Sequence, residues 1–251
     1  MLKKIRVASV SYLNARPLIY GVQDYSPLQD KMILVEDYPS KLVKMLEDDE
    51  VDVGLVSVAA IPKLKDPHII SNYVIAAEGD VASVCLFSEV PLDEITTVLL
   101  DYQSRTSINL CKILMKFLWK KDVEFILTTG EFVDQIKGTT AGVIIGDRAL
   151  VQLNNFKYIY DLAREWRKLT GKPFLFAAWI ANKPLPEEFV QIFNEANSHW
   201  EKYLDQIVTE KPFPAYDLKY YFTHNINYDL TQDMKDALQM FLDYSKEIDF
   251  I

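Results

Sequence analysis

Short apolar stretches alternate along this chain with amphipathic segments, and this alternation constrains the fold more than any other feature of the sequence. Three early stretches have the composition of buried strands: residues 5–10 (IRVASV), 32–38 (MILVEDY) and 51–60 (VDVGLVSVAA). Residues 17–22 and 39–49 lie between them and carry apolar residues at helical spacing. Strands and helices in this alternation predict βαβ units and a parallel sheet.

The sequence pattern changes at residues 83–95 (SVCLFSEVPLDEI), where an apolar strand is followed by Pro91 and acidic turn residues. This change divides the chain into two parts. A second series of strands and helices then begins. Its predicted strands are residues 96–100, 123–127, 141–146 and 157–162, and its predicted helices are 104–119, 131–137 and 147–153. Residues 174–182 (FLFAAWIAN) form a further apolar strand, and after it we predict only helices, at 187–207 and 231–248.

Two α/β series of this kind, joined by two crossing strands, are typical of the bilobal periplasmic-binding-protein-like (type II) fold. We expect one lobe at residues 1–87 plus 179–251 and the other at 88–178, with crossings near 84–91 and 174–182. Ligands of open parallel sheets bind beyond the carboxyl ends of the strands. With two such lobes, the expected ligand site is a central cleft.

The composition restricts the partners of the chain. Apolar residues make up 49% and charged residues 25% of its 251 positions, as in soluble globular proteins. A net charge of −9 argues against nucleic acid or an anionic membrane as a partner, and means that local groups must hold any anionic ligand. Cys85 and Cys111 lie in apolar runs and are expected to be buried, reduced thiols. Without a signal peptide or membrane span, we expect a cytoplasmic protein.

Polar side chains follow the first and third predicted strands, where a ligand cleft is expected. Ser11 and Asn14 can donate and accept hydrogen bonds, and Arg16 can pair with a carboxylate. Ser57 ends the third strand beside them. The alternative is structural: Ser11 and Asn14 would stabilise a turn and cap the helix at Pro17, and Ser57 would cap the next helix.

The second series contains the best candidate for an anion site, at residues 101–110 (DYQSRTSINL). Ser104 is expected to cap a helix whose first N–H groups, at Arg105, Thr106 and Ser107, would face a carboxylate. An ordinary capped helix is the alternative. Further along, Gly146 allows close backbone approach of a ligand, whereas we expect Asp147 to be a plain N-cap.

The sequence lacks the motifs of common catalytic and cofactor sites. It has no GxSxG, HExxH, P-loop or GxGxxG pattern, and its histidines, His68, His199 and His224, lack metal-ligand spacing. We therefore expect neither a metal nor a cofactor. From residue types alone, the chain would be a binding protein.

Five segments, in this order and spacing, resemble the chorismate dehydratase family of the futalosine route to menaquinone. They are VSYLNARPLIYGV, DVGLVSVAAIP, SVCLFSEVPL, DYQSRTSINL and IGDRAL. The likeness covers about the first 180 residues, and the opening segment is its most specific element. A sister family of the same pathway carries a histidine-bearing motif in the second lobe, which is absent here.

The resemblance implies a lyase that converts chorismate to 3-[(1-carboxyvinyl)oxy]benzoate and water. Asn14 and Ser83 match polar cleft residues of the family and would assist proton transfer and departure of the hydroxyl. Substrate binding would fall to Ser11, Arg16, Ser57, Arg105, Thr106, Ser107, Gly146 and Asp147. The alternative hypothesis is a non-catalytic binder of a small carboxylate, such as a transport receptor. The lack of a secretion signal argues against it.

Overall fold

The computed structural model describes residues 4–37 and 39–251, with the backbone alone described at residues 39 and 40. Strands form where β-branched and aromatic residues are concentrated. In chain order they are β1 (Ile5–Ser9), β2 (Met32–Glu36), β3 (Val53–Ser57), β4 (His68–Ala77), β5 (Val84–Ser88), β6 (Thr97–Leu100), β7 (Glu124–Leu127), β8 (Thr140–Ile145), β9 (Tyr158–Asp161), β10 (Phe174–Ala181) and β11 (Asn227–Asp229).

The α-helices are mostly short, and most have one apolar face. In chain order they are α1 (Arg16–Asp24), α2 (Ser26–Gln29), α3 (Pro39–Glu47), α4 (Arg105–Ile113), α5 (Asp147–Gln152), α6 (Leu162–Thr170), α7 (Glu187–Ser198), α8 (Leu204–Glu210), α9 (Leu218–Tyr220) and α10 (Gln232–Ser245). Gly21 brings α1 against α7, because a Cβ atom there would lie 2.6 Å from the carbonyl oxygen of Ala196.

The chain folds into two α/β units. Unit 1 comprises Met1–Ile75 and Phe176–Leu230, and unit 2 comprises Ala76–Leu175 and Thr231–Ile251. Among the described residues, the sheet of unit 1 has the order β11-β4-β10-β3-β1-β2, and that of unit 2 the order β7-β6-β8-β5-β9. The chain passes from one unit to the other within β4, within β10 and again between Leu230 and Thr231.

The predicted parallel pairing is confirmed in both sheets. In unit 1, β1 runs parallel to β2 and to β3, with Ala8 opposite Val35 and Gly54. In unit 2, β6 runs parallel to β7 and β8. Antiparallel strands complete each sheet: β10 pairs with β3, and β5 pairs with both β8 and β9. The carboxyl ends of β1 and β3 therefore share one sheet edge, as do those of β6 and β8.

The unit boundaries differ from the predicted ones at two places. β5 lies inside the sheet of unit 2 and does not form the crossing expected near 84–91. The segment 231–251 belongs to unit 2, although the sequence placed it in the first lobe. Aromatic packing explains this, since the Phe241 ring of α10 lies 5.4 Å from that of Phe174 and 6.5 Å from that of Trp166.

Some predicted elements are also wrong in extent or type. The prediction of only helices after β10 misses β11, a short strand that adds to the edge of β4. Residues 131–137 form one 3-10 turn, Val133–Gln135, in place of a helix. The predicted helix 187–207 is divided after Ser198 into α7, a 3-10 turn and α8. Cys85 and Cys111 are buried and unbridged, as predicted.

Candidate functional site

The loop after β1 carries its polar residues without using them as helix caps. A 3-10 turn, Leu13–Ala15, leads directly into α1, and the capping positions are Tyr12 and Ala15, neither of which makes a side-chain capping bond. The structural alternative for Ser11 and Asn14, in which they cap this helix, is therefore wrong. Ser11 is exposed and Asn14 is half-buried.

Asn14 is held firmly by its backbone while its side-chain oxygen has no partner. The hydroxyl of Tyr228 donates a hydrogen bond of 2.8 Å to the Asn14 carbonyl oxygen. Burial raises the pKa of Tyr228 well above its ordinary value, so this hydroxyl stays protonated and keeps donating. The Oδ1 atom of Asn14 is buried and accepts no hydrogen bond from the described residues. Buried acceptors are nearly always paired in native proteins, so this atom is suited to accept from a ligand.

Arg16 and Ser57 lie at the same edge of the unit 1 sheet. The guanidinium of Arg16 donates to the Ser11 carbonyl oxygen at 3.0 Å and pairs with the Glu36 carboxylate at 3.1 Å. A ligand carboxylate would have to share this guanidinium with Glu36. Ser57 is half-buried and occupies the capping position of the 3-10 helix Val58–Lys63, as the structural alternative predicted, but its side chain makes no capping bond.

In unit 2, the predicted cap at the start of α4 is confirmed. The Oγ atom of Ser104 accepts from the Ser107 N–H at 3.3 Å, and the two hydroxyls are 2.9 Å apart. The Ser107 N–H is thus already bonded, so it is not one of the free donors that the sequence suggested. Thr106 and Ser107 are both buried.

Arg105 differs from the other arginines in having an uncommitted side chain. Its guanidinium forms no ion pair or hydrogen bond with any described residue. The remaining arginines all have partners: Arg6 pairs with Asp52, Arg16 with Glu36, Arg148 with Asp101, Arg164 with Asp80, and Arg167 with the Glu78 carbonyl oxygen. In a chain of net charge −9, a half-buried arginine without an anionic partner is a candidate anion ligand.

The buried Asp101 connects the two strand-end loops of unit 2, a role that the sequence did not suggest. It follows β6, is fully buried and forms an ion pair with Arg148 of α5. Its two oxygens also accept from the Gln103 N–H at 3.0 Å and the Ile145 N–H at 3.3 Å. The sequence did contain a signal for this pair, namely an acidic residue directly after one predicted strand and an arginine shortly after the end of another.

Gly146 directly precedes α5, and Asp147 is the first residue of the helix. Gly146 has φ +65° and occupies the capping position, so the prediction that Asp147 is the N-cap is wrong by one residue. A positive φ favours glycine at this position, because a residue with a Cβ atom would be strained there. Its N–H donates to the Ser83 carbonyl oxygen at 2.7 Å, so its close backbone approach is to Ser83.

Ser83 is fully buried in a tight turn just before β5. Its N–H donates to the Val81 carbonyl oxygen at 2.7 Å, and the preceding residue, Ala82, has φ +60°. In buried surroundings a hydroxyl makes stronger hydrogen bonds than in water. The backbone therefore places Ser83 in a restricted position with a low local dielectric constant.

A carboxylate missed by the sequence analysis lies behind this turn. Asp161 ends β9 and is 4% exposed. Burial raises the pKa of its carboxyl to about 6, against opposing hydrogen bonds from the main chain of Ala82, Arg164 and Val81. Its position after a strand and before an amphipathic segment was a helix-cap signal in the sequence.

Other kinds of site find less support in the structure. Within residues 4–37 and 39–251, no cluster of three or more His, Cys, Asp and Glu side chains is arranged to hold a metal ion. None of the helices in these residues is long and apolar enough to cross a membrane. A cavity of about 720 Å³ in unit 2, next to Lys112 and Phe125, includes none of the predicted site residues.

Comparison with known proteins gives a family and a relative of named activity. The model of the family described as menaquinone biosynthesis matches residues 5–247. The curated chorismate dehydratase of Thermus thermophilus is 27% identical over 209 residues, which are 72% of this chain and 76% of that protein.

Solved structures give the fold. A protein from Archaeoglobus fulgidus has a TM-score of 0.76 at 16% identity, covering 97% of both chains. The periplasmic aliphatic sulphonate binding protein of Escherichia coli has a TM-score of 0.64 at 16% identity, over 98% of this chain and 93% of its own. A Candida albicans protein with the generic periplasmic binding protein fold scores 0.55 at 13% identity, over 98% and 95%. The predicted periplasmic-binding-protein-like fold is confirmed.

Proposed function

The chain belongs to the menaquinone biosynthesis family, and on this basis we propose that it is a chorismate dehydratase, a lyase that converts chorismate to 3-[(1-carboxyvinyl)oxy]benzoate and water. The observation that carries the proposal is the likeness to a curated chorismate dehydratase over 72% of the chain. Cytoplasmic action is part of the same proposal, since the free cysteines Cys85 and Cys111 are compatible with a reducing compartment.

The reaction needs little from the protein beyond orientation and charge stabilisation. The ring hydrogen next to the ether oxygen of chorismate is acidic, because the electrons of its C–H bond can move through the ring toward the ring carboxylate. Departure of the neighbouring hydroxyl, with one proton, as water leaves an aromatic ring, which provides a large driving force. Holding the dianion in the reactive conformation accounts for much of such catalysis. In this proposal a carboxylate of the substrate itself accepts the ring proton.

We propose that Asn14 and Ser83 contact the substrate hydroxyl that leaves as water. The buried, unpartnered Oδ1 atom of Asn14 can accept a hydrogen bond from a substrate hydroxyl, and the Tyr228 hydroxyl holds the backbone of Asn14 in place. An amide is neutral at working pH and a poor proton acceptor, so its role is to orient and polarise. Ser83 can donate and accept through one hydroxyl group, and its backbone bonds to Val81 and Gly146 restrict its position.

Arg105 is the principal carboxylate ligand in this proposal, because its half-buried guanidinium is not committed to another group. A guanidinium bound to a carboxylate through two parallel hydrogen bonds gives both charge neutralisation and orientation. The other residues proposed to contact substrate are Ser11, Arg16, Ser57, Thr106, Ser107, Gly146 and Asp147. Arg16 would act while still paired with Glu36.

The test is incubation of the purified protein with chorismate, followed by the ultraviolet spectrum and by mass spectrometry. We expect loss of one water per chorismate without added metal or nucleotide. Tight binding of chorismate with no chemical change would favour the alternative function, a binding protein for small carboxylates. The chain has the fold of periplasmic binding proteins. Failure of chorismate both to bind and to react would exclude both functions.

A further inference from the structure

The two carboxylate oxygens of Asp161 accept hydrogen bonds from two different elements of unit 2. Oδ1 accepts from the N–H groups of Ala163 at 3.0 Å and Arg164 at 3.2 Å, which caps α6. Oδ2 accepts from the N–H of Ala82 at 2.7 Å, seventy-nine positions away in sequence. The second bond connects the cap of α6 to the turn that carries Ser83.

The turn needs such an anchor because of its backbone conformation. Ala82 has φ +60°, a left-handed conformation that is unfavourable for any residue with a Cβ atom and that alanine adopts rarely. Residues stay in such conformations only when their surroundings enforce them. Two hydrogen bonds restrain the turn from both sides. The Ala82 N–H donates to Asp161, and the Ser83 carbonyl oxygen accepts from the Gly146 N–H.

Capping alone does not explain an aspartate at this position. Asparagine caps helices as well as aspartate does, and it carries no charge to bury. The carboxylate is 4% exposed, and its desolvation is unfavourable. An ionised carboxylate is the side chain that accepts hydrogen bonds at both of its outer atoms, which is what the dual contact with α6 and Ala82 requires.

We propose that Asp161 is a positioning residue for Ser83, acting through its hydrogen bond to the N–H of Ala82. This inference rests on the proposed function, in which Ser83 assists departure of the hydroxyl. Asp161 itself does not contact the substrate. Its effect on turnover comes from fixing the turn that presents Ser83.

Three other titratable or charged groups face Asp161. Cys85 of β5 has its Sγ atom 3.8 Å from Oδ2, and burial raises the pKa of this thiol well above its ordinary value. Asp80 precedes the turn and pairs with Arg164 of α6 at 3.1 Å. Because the thiol stays protonated and the other two groups neutralise each other, Asp161 is the group here that titrates near pH 6.

The experiment compares wild type with Asp161→Asn. The asparagine Oδ1 keeps the cap of α6, and its NH2 group then faces the N–H of Ala82. The bond to the turn is therefore lost, together with the weak 3.8 Å bond from the Cys85 thiol. We expect kcat to fall tenfold or more, KM to change less than threefold, and the melting temperature at pH 7 not to fall. Wild-type kcat should also decline as the pH falls through about 6, and the variant should lack this inflection.

The control is Asp217→Asn, which changes another capping aspartate, bonded to the Tyr220 N–H at 3.0 Å, and should leave kcat unchanged. Amide hydrogen exchange gives a readout that needs no substrate: in Asp161→Asn, exchange should accelerate at Ala82 and stay slow at Ala163 and Arg164. Unchanged exchange at Ala82, or normal kcat in Asp161→Asn, would overturn the proposal. If wild type fails to convert chorismate while Ala82 loses protection as expected, the anchor stands and the assigned reaction is what fails.

Discussion

Replacing Asn14 with alanine should separate function from stability, because we expect its side-chain oxygen to bond a ligand and not the folded protein. The Oδ1 atom of Asn14 is buried without a partner in the part of the chain that the structure describes. A buried, unsatisfied acceptor costs about 1–3 kcal/mol of folding free energy. Removing it should raise the free energy of unfolding by about 1 kcal/mol, or about 2–4 °C in melting temperature for a chain of this length. The bond from Tyr228 is to the backbone of Asn14 and survives the substitution.

The same substitution should lower kcat, although it raises the free energy of unfolding. Loss of one positioned polar group that stabilises a transition state lowers kcat by ~100-fold or more. Steady-state kinetics with chorismate and thermal unfolding of the same preparation measure both effects. The matched control is Asn197→Ala, since the Asn197 amide is fully used: it accepts from the Trp179 indole at 2.9 Å and donates to the Phe193 carbonyl oxygen at 2.8 Å. That variant should lose stability by about 1–3 kcal/mol. Normal turnover with a lower melting temperature in Asn14→Ala would show that the opening motif is structural.

Three further outcomes follow from the contacts described. Arg105→Met should raise KM for chorismate at least tenfold, because a charged hydrogen bond contributes about 1.5–3 kcal/mol. The melting temperature should stay constant, since the Arg105 guanidinium has no partner among the described residues. Tyr228→Phe removes the donor to Asn14, so kcat should fall more than KM changes, and stability should fall by about 1 kcal/mol. Burial raises the pKa of Asp161 to about 6. The stabilisation that Asp161 contributes is therefore present below about pH 4 and is lost as the pH rises through 6. Urea unfolding should show that the free energy of unfolding of wild type falls by about 3 kcal/mol over this range relative to Asp161→Asn.

The fold could be predicted wherever hydrophobic periodicity decides it. The parallel strands β1, β2 and β3 are continuous apolar runs with helices between them, and their pairing is as expected. β4 gave a weaker signal, because the polar residues Ser71 and Asn72 interrupt its apolar run, and the first unit boundary was misplaced as a result. Assignment of α10 to unit 2 depends on aromatic contacts with Trp166 and Phe174, which sequence patterns do not reveal.

The candidate site could be predicted as a set of strand-end loops, but not as a set of contacts. The sequence identified Ser104 as a cap, and this prediction is confirmed. The approach of a ligand to the Gly146 backbone stays a prediction. It could not tell that Arg16 is paired while Arg105 is not, since pairing depends on residues distant in sequence. Asp161 was missed for the same reason: its bond to Ala82 joins segments that only the folded chain brings together.

The most direct test of the central claim is the proton NMR spectrum of the product formed when the purified protein acts on chorismate. We expect the signals of a benzene ring substituted at positions 1 and 3, with the enolpyruvyl group still attached, and no remaining signals from the two saturated ring C–H groups of chorismate. The catalytic assignment further predicts that the same protein carrying Asn14→Ala forms this product ~100-fold more slowly. Unchanged chorismate, or an aromatic product that has lost its enolpyruvyl group, would show that the protein does not catalyse this dehydration.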